Sequence, residues 1–180
     1  MTAVHSLDKA LALLVLLSAV DASAQSSARV DLNGSIDAGT CSVAAVTKEL
    51  PVVGAGAFPQ VAGAIAGSTA SYTNFELSLS GCSGVTGATF QMGAVADASS
   101  QSNVFRNKAA NGAPHTGYWI KEGAGRCASG TIIAPGDAIS KSFTGATYGL
   151  SLCAQYAKLA GGLVSMGPLS TSFTVTITYR

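Results

Sequence analysis

Apolar and polar residues alternate with a period of two through most of the chain beyond residue 24. That is the pattern of strands with one buried face and one wet face. It is clearest at the C-terminal end. Phe173, Val175, Ile177 and Tyr179 share one parity, and Thr174, Thr176 and Thr178 take the other. A second predicted strand sets Phe75, Leu77 and Leu79 against Glu76, Ser78 and Ser80. A third sets Tyr148, Leu150, Leu152, Ala154 and Tyr156 against Gly149, Ser151, Cys153 and Gln155. Weaker patterns predict strands at Phe90, Met92 and Ala94, at Tyr118 and Ile120, and over residues 43–53. Close to the start, Val30, Leu32 and Ile36 share one parity, with Gly34 in register between them.

Turn-forming clusters separate these runs, at residues 81–87, 98–103, 110–117, 123–130, 135–137 and 161–167. Regular strand–turn spacing without long amphipathic helices predicts an all-β chain built as an antiparallel sandwich. Residues 54–67, GAGAFPQVAGAIAG, fit a loop, a short helix or a flexible edge. Their glycine content weighs against a stable helix. No internal repeat and no domain linker is present.

Composition narrows the function. Only 11% of residues are charged and the net charge is +1, so no strong field steers nucleic acid or anionic lipid to the chain. Residues 1–24 read as a secretory signal peptide. An apolar run, ALALLVLLSAV, is followed by Ala22-Ser23-Ala24, a small-x-small cleavage site. The run is too short to span a bilayer. Export also explains the cysteines. All four lie beyond residue 24, and an even count in an exported chain predicts two disulfides. Three pairings are possible. The expected pairs are Cys41–Cys82 and Cys127–Cys153, each closing a moderate loop between neighbouring strands. A four-cysteine zinc site would call for C-x-x-C pairs, and none occurs.

Candidate catalytic residues are sparse. His115, in GAPHTG, is the one histidine beyond residue 24, and no G-x-S-x-G elbow accompanies it. The acidic residues are scattered singly, so sequence sets up no acid–base pair. The glycines at 54, 56, 63 and 67 lack the Lys and Ser/Thr of a phosphate loop. No cofactor and no metal is expected. Tyr118 beside Trp119 raises one alternative, a secreted carbohydrate-binding β-sandwich that stacks sugars on this pair.

Four stretches carry a resemblance to a known family. VDLNGSIDAGTCSVAA, residues 30–45, resembles the opening of type 1 fimbrial subunits. FELSLSGC, residues 75–82, is similar to the strand bearing the partner cysteine there. NKAANGAPHTGYWIKEGAG, residues 107–125, resembles the stretch before the middle strands, and TSFTVTITYR, residues 171–180, the C-terminal strand with its penultimate Tyr. The order and spacing of the four carry the match, and the opening resembles minor adaptor subunits more than shaft subunits. Cys127 and Cys153 add a bridge that many members lack.

The resemblance implies a chaperone-usher pilin, a structural subunit of an adhesive fimbria and not an enzyme. Its fold would be an immunoglobulin-like sandwich lacking its last strand. Its partners would be neighbouring pilin subunits, a periplasmic chaperone and an outer-membrane usher, on the way through the periplasm to the cell surface. Residues 25–36 would form a donor extension carrying Ala28, Val30, Leu32, Gly34 and Ile36, and residues 37–180 the pilin domain. Phe173, Val175, Ile177 and Tyr179 would line the acceptor side.

Overall fold

The structure, a computed structural model, describes residues 39–63, 65–123, 127 and 129–180. A division of the chain falls after Ile36, and every element below belongs to the unit Asp37–Arg180. The expected signal peptide and the expected donor residues Ala28, Val30, Leu32, Gly34 and Ile36 lie outside the described residues.

Among the described residues nine strands follow in chain order: β1 (Thr40–Val43), β2 (Ala66–Ser83), β3 (Gly87–Met92), β4 (Phe105–Arg106), β5 (Thr116–Glu122), β6 (Thr131–Ile133), β7 (Ala138–Ser142), β8 (Thr147–Lys158) and β9 (Val175–Tyr179). A six-stranded sheet runs β1-β2-β8-β5-β4, with β6 also pairing β5. A three-stranded sheet runs β7-β3-β9. Every pairing is antiparallel. The two sheets form a sandwich over one core.

The alternation in the sequence explains that core. Leu77 and Leu79 of β2, Leu150, Leu152 and Tyr156 of β8, and Tyr118 and Ile120 of β5 are buried on the inner face of the large sheet. Ala88, Phe90 and Met92 of β3 are fully buried opposite them. Burying each large apolar side chain contributes roughly 1.5–3 kcal/mol, so this shared interior dominates the stability. The predicted strands around residues 75–80, 90–92, 118–120, 148–156 and 175–179 all form.

Two predictions need correction, and two regions take a form that the alternation left open. The strand expected over residues 43–53 ends at Val43. Leu50 and Val53 still pack against the core, but Pro51 between them has no N–H for a ladder. The turn placed at residues 81–87 begins later, because β2 continues to Ser83. The ambiguous stretch 54–67 holds a 3₁₀ turn, Ala55–Ala57, and the start of β2. Finally, β4, β6 and β7 carry too few alternating residues to be read in advance. β7, for example, has Ile139 as its one large apolar residue.

Cys41 is bonded to Cys82, and Cys127 to Cys153. The first bond ties the short edge strand β1 to β2. The second draws the β5–β6 connection onto β8, where Cys153 pairs in register with Lys121. The Lys121 ammonium donates to the Cys127 carbonyl at 2.7 Å, and burial pulls its pKa below the usual lysine value.

Candidate functional site

The region of interest is the flank where both sheets end. β9 pairs with β3 along one side only, and β1 with β2 along one side only. Among the described residues no strand covers the opposite edge of either. The hydrogen-bond phase of β9 shows what its open edge offers. Gly93 N–H donates to the Thr174 carbonyl, and Arg180 and Gly87 exchange bonds in both directions. In an antiparallel ladder such pairs alternate. Thr174, Thr176, Thr178 and Arg180 therefore turn their main-chain groups towards β3. Val175, Ile177 and Tyr179, with Phe173 before them, turn theirs to the open edge.

The same residues bear the apolar stripe. Phe173, Val175, Ile177 and Tyr179 pack on the core and remain half-buried, while the threonines between them are exposed. Unpaired main-chain donors and acceptors thus coincide with incompletely covered apolar side chains. Such an edge templates pairing with another strand. Further apolar surface lies on and after β1, where Val43, Val46 and Val52 are exposed. The Tyr179 hydroxyl donates to the Cys41 carbonyl at 3.2 Å, so the two open edges border the same flank.

Side chains that no sequence pattern singled out fix the approach to β9. The Asn107 amide donates to the Pro168 carbonyl at 3.1 Å, and its oxygen accepts the Ser170 N–H at 3.0 Å. Lys108 donates to the Asp97 carboxylate at 2.7 Å and also to the Ser172 carbonyl. The hydrogen bond from Lys108, then that from the Ala94 N–H, hold the Asp97 carboxyl below the usual carboxylate range. Asn and Lys in a turn-rich stretch look like ordinary surface residues. Their partners lie about sixty residues away in the chain.

The remaining candidates are scattered. Tyr118 and Trp119 point to opposite faces of β5. Tyr118 is buried with its ring 5.4 Å from Tyr156, and burial pushes its phenol up. Trp119 packs against Val104, Ala157 and Leu159, with the Lys121 ammonium 5.1 Å from its ring. The sugar-stacking pair is therefore not assembled. His115 is exposed in a left-handed turn, with φ of 53°, and its carbonyl accepts the Leu159 N–H at 2.8 Å. Among the described residues, no group of three or more His, Cys, Asp or Glu could hold a metal ion. His115→Ala should change stability by less than about 0.5 kcal/mol, because the backbone supplies the bond and surface substitutions cost little. Thermal unfolding of the variant checks this, and a large loss would reveal a role for the imidazole.

A family model for fimbrial proteins matches residues 30–180. The chain belongs to the fimbrial protein family. Solved pilus structures share its architecture. One is a chaperone-usher pilus, 15% identical with a TM-score of 0.54, covering 87% of this chain and 97% of that one. The P pilus rod subunit PapA is 15% identical, with a TM-score of 0.53, covering 78% of this fimbrial protein and 99% of PapA. The CupB6 tip adhesin from Pseudomonas aeruginosa is 21% identical, with a TM-score of 0.51; the match covers 71% of this chain but 33% of the adhesin. At these identities the likeness shows the fold. No curated protein matches the chain. This fimbrial protein is a subunit of a cell-surface fimbrium.

Proposed function

We propose that this fimbrial protein is a structural subunit of a chaperone-usher fimbria, assembled by donor-strand exchange and serving bacterial adhesion, with no catalytic role. One observation supports the reading above the rest: the open edge of β9 presents main-chain groups and apolar stripe on the same residues, Val175, Ile177 and Tyr179. Addition of a strand to such an edge uses ladder bonds for affinity and alternate side chains for specificity.

The incoming strand is residues 25–36 of a neighbouring copy or subunit. Ala28, Val30, Leu32, Gly34 and Ile36 repeat with the period of the acceptor stripe. Burying Val30, Leu32 and Ile36 would contribute roughly 5–9 kcal/mol before ordering costs. Gly34, which lacks a side chain, would let the incoming strand approach the flank closely at that point. Residues 1–24 direct export, residues 37–180 form the pilin domain, a periplasmic chaperone covers the open flank, and an outer-membrane usher exchanges chaperone for donor.

Gly34→Leu tests the reading. The change lies in the donor and leaves residues 37–180 untouched. The variant should still be captured by the chaperone and should fail to join a growing fibre, as seen by electron microscopy of the cell surface. Fibres of normal length from this variant would contradict the proposal.

A further inference from the structure

A strand added to β9 faces a problem of register. Shifting it by two residues keeps every side chain on its proper face, so inward–outward alternation alone does not fix where it sits. The middle of the acceptor stripe is of little help, since Val175 and Ile177 are similar β-branched side chains. Something must mark an end.

Tyr179 has the geometry to do so. Its phenol crosses from the edge strand of the small sheet to the Cys41 carbonyl on the edge strand of the large one, at 3.2 Å. Both anchors of this crossbar are held. Cys41 is bonded to Cys82, so its carbonyl is tied to β2. On the other side, Arg180 exchanges main-chain bonds with Gly87 and accepts the Thr86 N–H at 2.7 Å and the Thr86 hydroxyl at 3.0 Å. The Arg180 guanidinium also donates to the Ser142 hydroxyl on β7 at 3.1 Å. One end of the flank is therefore bridged by a rigid aromatic ring fixed at both ends. At the Phe173 end the two sheets also meet, through the tilted rings of Phe173 and Phe105 of β4, with centroids 4.4 Å apart, but a phenylalanine ring has no hydroxyl to pin it to the opposite strand as Tyr179 is pinned.

We propose that Tyr179 is a positioning residue that sets the register of the incoming strand, by closing one end of the open flank through its bond to the Cys41 carbonyl. The inference rests on the donor-strand reading and adds the device that makes its outcome single. A strand sliding towards Arg180 meets the bridged ring. A strand sliding the other way leaves apolar surface beside Ile177 uncovered.

The test uses fibres assembled by cells producing the full chain, with a photo-reactive benzophenone amino acid at position 32. Illumination followed by mass spectrometry maps the acceptor residue that position 32 touches. The native sequence at position 179 should give one attachment site. Tyr179→Phe keeps the ring and loses the hydrogen bond. It should add a second site displaced by two residues, and the fibres should dissociate about five-fold faster in denaturant, the effect of about one hydrogen bond. Tyr179→Ala should broaden the attachment further. A single unshifted site in Tyr179→Phe overturns the inference, whether or not dissociation is faster, because a purely structural role changes stability without changing register. No cross-link between subunits even with Tyr179 present would overturn the donor-strand reading itself, and this inference with it.

Discussion

Subunits lacking residues 26–32 should fold on the chaperone and fail to extend a fibre. The deletion removes Ala28, Val30 and Leu32 and leaves the cysteines and every described strand intact. What it abolishes is donation. At 1.5–3 kcal/mol for each buried large side chain, losing Val30 and Leu32 alone forfeits roughly 3–6 kcal/mol at the receiving subunit, and the ladder bonds along β9 go too. An effect of that size is close to all-or-none for assembly, since each 1.4 kcal/mol is a factor of about ten. Co-purification with the chaperone, set against fibre counts on the cell surface, separates failure to fold from failure to donate.

The two disulfides should behave differently when removed. By loop-closure entropy, replacing Cys41 and Cys82 with alanine should cost about 4 kcal/mol, and replacing Cys127 and Cys153 nearly as much. For a domain of this size each would lower the melting temperature on the order of 10 °C. Their consequences for assembly diverge. Cys41 sits in β1, an edge strand of four residues whose pairing with β2 is already irregular between Thr40 and Ser42. Freed from Cys82, β1 loses its anchor, and with it the carbonyl that receives Tyr179. Strand uptake should fall along with stability. Cys127–Cys153 fastens a connection on the far side of the large sheet, so its removal should lower the melting temperature and leave strand uptake unchanged. Melting curves and peptide binding on the two double variants check the contrast. Equal loss of uptake in both would mean that the effect is global instability, not the loss of one wall of the flank.

Much of this was legible in the sequence, for a physical reason. β9 and residues 75–80 of β2 bury one face and wet the other, so period-two alternation survives there, as in Phe75-Glu76-Leu77-Ser78-Leu79. In β8 the inward set Leu150, Leu152 and Tyr156 is still readable, although Cys153 and Ala157 on its other face are buried as well. The same logic already sets Tyr118 and Trp119 on opposite faces, since neighbours on a strand point apart. The signal fades where a strand is short or lies at an edge. Thr131–Ile133 and Ala138–Ser142 are held by pairing with β5 and β3, and their own side chains say little. Residues 44–53 mislead in the opposite direction. Val46, Leu50, Val52 and Val53 look like a strand, yet Leu50 and Val53 reach the core from chain that joins no ladder. The tethers of Asn107 and Lys108 are invisible in sequence because their partners come from the approach to β9. The openness of the β9 edge follows from strand order, which alternation does not encode.

In the proposed assembly, the fold of residues 37–180 is completed by a strand from another subunit. Thermal unfolding of the subunit lacking residues 26–32, with and without a synthetic peptide of residues 26–36, tests it most directly. The account predicts a protein that is unstable or aggregates alone and whose melting temperature rises markedly when the peptide binds. A truncated protein that is a stable monomer without peptide or chaperone, and whose melting temperature the peptide leaves unchanged, would contradict it.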